Sequence, residues 1–171
     1  MSGSEGDARG SLAPGDVFVI GVGNAWRGDD AVGLEVVHGL RGRLPEGVHL
    51  RHSEGEPTRL LEDWYGARTL ILIDAINSGS EQAGAIRRLD LNADELPQSL
   101  FRGSTHHFSL GDAIELARSM SRLPERSVLY GIEATSFETG SGLQPAVEAA
   151  VEPVVEQVLA EVEELLERAP R

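Results

Sequence analysis

The chain has 171 residues with 15 basic and 28 acidic side chains, a net charge of -13 and a pI near 4.7. A sequence-independent nucleic-acid binder, or a protein held on an anionic membrane surface, needs a basic face, so both classes are disfavoured. There is no cysteine, and all 15 basic residues are arginine, which removes disulfides, thiolate chemistry, the P-loop lysine and Schiff-base lysines.

Residues 1–15 read as a polar tail without the charged and apolar regions of a secretory signal. With no apolar run near the roughly 18 residues of a membrane span, a cytoplasmic protein is expected. A single domain is expected over 16–168. Val17–Gly23 is short, apolar and β-branched, which predicts a buried strand. Val32, Val36, Leu40 and Leu44 have helical spacing, which predicts a helix over Asp29–Leu44 with two aspartates at its start. Val48–Ser53 is a candidate second strand, and Pro57–Tyr65 a short helix. Thr69–Ala75 is the clearest buried strand, and Ala85–Leu91 alternates as a further one.

Residues 92–104 are loop-like, with a helical turn expected around Glu95. Ser109–Arg122 has helical spacing, Ser127–Ala134 is a strand, and Gln144–Glu167 is a helix with a valine stripe. Pro153 lies inside that helix, so a kink or restart is expected. The seven glutamates between Pro145 and Arg168 read as a solvated face opposite the valines. Alternating strands and helices predict an α/β fold in three layers, α/β/α, with a mostly parallel central sheet of about five strands. Both faces are then covered, and a monomer is expected.

Such sheets hold their sites beyond the carboxyl ends of the strands, where strand order reverses. Four segments fall there: Gly21–Asp30, Asp74 with Asn77 and Ser78, Ser104–His107, and Glu133–Glu138. The first is not a dinucleotide fingerprint. Trp26 stands where the third glycine is needed, and Asp29 and Asp30 would repel a phosphate. Gly21 and Gly23 alone say only that the turn is tight. Asp74 leaves an aliphatic run, where a carboxylate needs a partner, a cap role or a metal. His38, His49 and His52 read as structural histidines. Two carboxylates and one imidazole on one rim form an open O/O/N set suited to Zn²⁺ or Ni²⁺.

The ordered set Gly21-Val-Gly-Asn24, Asp29-Asp30-Ala-Val-Gly33, Ile73-Asp74-Ala75, Ser104-Thr-His106, Gly131-Ile-Glu133 and Gly142-Leu-Gln-Pro145 resembles the hydrogenase maturation endopeptidase family. The resemblance implies an endopeptidase that removes a short C-terminal extension from the large-subunit precursor of a nickel–iron hydrogenase after nickel insertion. It implies Asp30, Asp74 and His106 as the catalytic and metal-binding residues. The metal that the resemblance implies is Ni²⁺ carried by the substrate, with Zn²⁺ or Cd²⁺ expected to be able to occupy the site in vitro. Asp29 is an alternative to Asp30, and His107 to His106. Two departures stand out. Asp30-Ala31 replaces the family's glutamate and glycine, and Glu54-Gly-Glu-Pro-Thr58 replaces its acidic Gly-Gly-Thr segment. A non-catalytic nickel-recognising assembly factor on the same fold, and a nucleotide-binding enzyme, are the alternatives.

Overall fold

The structure, a computed structural model, describes residues 12–54, 56–80, 82–101 and 109–168. Five strands, β1 (Val17–Val22), β2 (His49–Ser53), β3 (Thr69–Ile76), β4 (Ile86–Asp90) and β5 (Arg126–Glu133), form one sheet in the order β2-β1-β3-β5-β4. β1, β2, β3 and β5 run parallel, and β4 joins β5 antiparallel at the edge. Every residue of β1 and β3 is buried, which is why both read as unbroken apolar runs. The edge strands carry Arg51, Arg87 and Arg88, charges that discourage pairing with another chain.

Successive strand residues face opposite layers. Val17, Val19, Ile71, Ile73, Val128 and Tyr130 pack with α1 (Val32–Leu40) and α4 (Pro145–Glu167). Phe18, Ile20, Leu70, Leu72 and Leu129 pack with α2 (Pro57–Asp63) and α3 (Leu110–Ser119). The expected three-layer α/β fold is what the chain adopts. Ser109 caps α3 in a reciprocal box with Asp112, and the Glu56 side chain caps α2 by accepting from the N–H groups of Thr58 and Arg59.

Four expectations need correction. The helix expected over Asp29–Leu44 is shorter. Gly28–Ala31 form a 3-10 turn, and the α-helix stops at Leu40 because Arg41 turns extended and Gly42 takes a positive φ of 73°. No helical turn centres on Glu95; the Asp94 N–H closes a turn onto the Asp90 carbonyl, and a 3-10 turn covers Gln98–Leu100. α4 does not restart at Pro153. An interior proline costs about 3 kcal/mol, but five buried valines of α4 contribute about 1.5 kcal/mol or more each, so packing wins. Finally, the tail expected over 1–15 is anchored at its end: Leu12 packs on the core and Pro14–Asp16 form a 3-10 turn.

From β1 the chain crosses outward to β2, then returns to place β3 on the other side of β1. The rim beyond the carboxyl ends of β1 and β3 is therefore the switch point of this sheet.

Candidate active site

The rim is built by close approach of backbone. A Cβ at Gly33 would lie 2.4 Å from the Val22 carbonyl oxygen and 2.7 Å from that of Ile73. Only a residue without a side chain lets α1 begin directly against β1 and β3. Gly23, at φ 149°, faces the Asp30 carbonyl oxygen, which a Cβ would approach to 1.9 Å. These two glycines press the Gly28–Ala31 turn onto the end of β1 and bring Asp30 over the sheet. Gly21, where a Cβ would lie 2.2 Å from the Gly33 carbonyl oxygen, and Gly23 serve this packing, as the tight-turn reading of that pair expects.

Asp29 and Asp30 have separate jobs. Asp29 is fully buried. Its carboxylate accepts from the N–H groups of Thr135 (3.3 Å), Ser136 (3.2 Å) and Gln144 (2.8 Å), and from Gln144 Nε2 (2.8 Å). It ties the loop after β1 to the loop between β5 and α4. Asp30 is partly exposed, and its Oδ2 accepts from the Asn24 N–H at 3.2 Å. The sequence marks both aspartates but not this division, because Asp29's partners lie more than a hundred residues away.

Asp74 sits on β3 opposite Gly131 of β5 and is 7% exposed. Burial raises its carboxyl well above the usual range, the charge of Asp30 raises it further, and the Ala75 N–H partly offsets both. Asp30 and Asp74, distant in sequence, are thus electrostatic neighbours at the switch point. Two positions further along β5, Glu133 is fully buried. It accepts from the Ser78 hydroxyl and N–H, and Arg87 Nε lies 3.2 Å away. Glu133 therefore pins the loop that leaves Asp74.

His106 and its alternative His107 lie outside the described residues. The ends of their segment do not. Phe101 is bridged to Asn77, three residues beyond Asp74, and the Asn77 N–H donates to the Leu100 carbonyl at 2.7 Å. At the other end, Ser109 caps α3. Among the described residues no group of three His, Cys, Asp or Glu side chains is gathered to hold a metal ion.

The other histidines sit apart from the acid pair. His49 packs against the Phe18 ring at 4.2 Å, and His38 lies 3.8 Å from Glu35. His52 lines a cavity of about 370 Å³ with Ser53, Glu54, Glu56 and Arg59, at the carboxyl end of β2.

A family model for HycI hydrogenase maturation proteases matches residues 49–161. Over 160 residues the chain is 35% identical to the hydrogenase 2 maturation protease of Escherichia coli (strain K12), covering 91% of this chain and 96% of that protein. The structure of the hydrogenase maturating endopeptidase HybD from E. coli superposes with a TM-score of 0.69 at 34% identity, over 86% of this chain and 92% of that one. The solution structure of an endopeptidase from Escherichia coli gives 0.72 at 30% identity, over 86% and 93%. These relatives are named as proteases and endopeptidases, which supports a processing role over the assembly-factor and nucleotide alternatives. The chain belongs to the hydrogenase maturation protease family, a family of hydrolytic endopeptidases.

Proposed function

We propose that this chain removes a short C-terminal extension from the nickel-loaded large-subunit precursor of a nickel–iron hydrogenase. One observation carries the reading: carboxylates from two separate elements meet at the switch point, where burial and then the charge of Asp30 raise the carboxyl of Asp74. Two such groups are stable together only when they share a proton or a cation.

Asp30, Asp74 and His106 are assigned as ligands to the nickel that the precursor already holds. The bridge between Phe101 and Asn77 supports this, because it ties the last described residue before the histidines to the loop that follows β3. An O/O/N set suits Ni²⁺, and its oxygens are too hard to strip the ion from thiolates. The ion is therefore gripped in place, and a precursor without nickel offers nothing to grip. When bound, the ion supplies Lewis acidity toward the scissile carbonyl or a water. The chain supplies proton handling. Asp74 ligates as the carboxylate, its proton passing to solvent, and the oxygen of Asp30 left off the ion is the general base. Zn²⁺ or Cd²⁺ should occupy the same ligands in vitro. The reading includes a cytoplasmic monomer, supported by the helices that cover both faces of the sheet.

Mass spectrometry of the precursor after incubation with this chain, with and without nickel, tests the proposal. Loss of a C-terminal peptide only from the nickel-loaded precursor is expected. Equal cleavage without nickel refutes the recognition role, and an intact nickel-loaded precursor refutes the protease assignment.

A further inference from the structure

The two tryptophans of this chain occupy opposite extremes. Trp64 is 2% exposed beneath the sheet, and Trp26 is 77% exposed. We propose that Trp26 is a substrate-binding residue, whose indole receives an apolar side chain of the precursor segment crossing the Asp30–Asp74 rim. The inference rests on the function proposed above and adds the chemistry of the contact.

Trp26 lies four residues before Asp30, on the loop that leaves β1 at the switch point. That loop is fixed in shape. The Trp26 N–H donates to Asn24 Oδ1 at 2.9 Å, the Arg27 N–H to the Asn24 carbonyl at 3.2 Å, and the Gly140 N–H to the Trp26 carbonyl at 2.8 Å. Asn24 in turn donates to Asp30, so the indole is carried on the backbone that orients the proposed ligand. A large rigid side chain held in water by a braced loop loses little freedom on binding and buries much area, which is why tryptophan dominates binding hot spots.

Its surroundings give the contact a distinct task. Glu54 after β2, Glu56 at the start of α2 and Glu138 on the loop bonded to Trp26 share this rim with Arg27 and Arg59, so it carries charges of both signs with acids in excess. Acidic groups can attract a cation but cannot position an apolar side chain; the indole can. Among the described residues, the other exposed large apolar side chains lie elsewhere: Leu116 is on α3, while Tyr65 follows α2 and Met120 caps the end of α3, near the amino ends of β3 and β5.

The test uses the full chain labelled with 5-fluorotryptophan and the unlabelled nickel-loaded precursor. Two ¹⁹F resonances are expected, and Trp26→Phe identifies the exposed one. Adding precursor should shift the Trp26 resonance and leave that of Trp64 in place. In parallel, Trp26→Ala should raise KM for the precursor at least about tenfold, with kcat moving far less and Trp26→Phe restoring most of the affinity. An unmoved Trp26 resonance on a precursor that is cut normally, or an unchanged KM in Trp26→Ala, overturns the assignment while leaving the protease reading intact. A nickel-loaded precursor neither bound nor cut by the unsubstituted chain overturns the functional reading and this inference with it.

Discussion

Asp29 and Asp74 are both buried aspartates on the same rim, and their surroundings are opposite. Asp29 meets four donors from the β5–α4 connection and the start of α4. Asp74 meets another carboxylate, with one backbone N–H as partial relief. A buried charge surrounded by donors braces the fold; a buried acid facing a like charge is left available for a proton or a cation. Burial alone does not separate structure from function here, but the count and kind of neighbours does.

The comparison can be broken by substitution. Asp74→Ala should lower cleavage of the nickel-loaded precursor by about a hundredfold or more, with the fold retained by circular dichroism. Near-normal cleavage would remove Asp74 from the chemistry. Asp29→Ala should instead destabilise the fold by about 3 kcal/mol in urea unfolding, because buried N–H groups lose their acceptor. A loss below about 1 kcal/mol would mean that solvent replaces the clamp.

A pH series sharpens the contrast. The Asp74 carboxyl is raised in the folded chain, so between the unfolded and folded values the folded state holds a proton that the unfolded state has lost. Its contribution to stability is full below about pH 4 and declines as pH rises through the folded value. Asp74→Asn in metal-free buffer should therefore unfold at a higher temperature than the unsubstituted chain at neutral pH. That gain should vanish near pH 4. A constant difference at all pH values would point to packing instead of charge. The smallest effect is expected at Arg43, which reaches Glu152 and Glu156 across the surface between α1 and α4. Arg43→Ala should leave the thermal midpoint unchanged within error, since exposed ion pairs contribute little.

The legible parts of the sequence were those fixed by local chemistry. β1 and β3 are buried on both faces, so their composition could be little else than aliphatic. β2 and β4 lie at the edges with one face wet, and their arginines blur the alternation. The helix end at Leu40 and the unbroken run through Pro153 were misjudged because side-chain periodicity reports a face, not where the backbone leaves helical space or how much packing resists a break. Trp26 counted only as a glycine out of place, since exposure cannot be read from a residue's identity.

By itself the sequence determined the α/β class, the exclusion of thiol and lysine chemistry, and the ordered motifs that link the chain to its family. These depend on residue types and their order. The tertiary structure alone decided which of two adjacent aspartates is a brace and which overhangs the rim, and that Asp30 reaches the electrostatic field of Asp74. Partners more than a hundred residues apart in the chain are brought together only when the sheet forms, and the environment of a carboxylate is set by those partners.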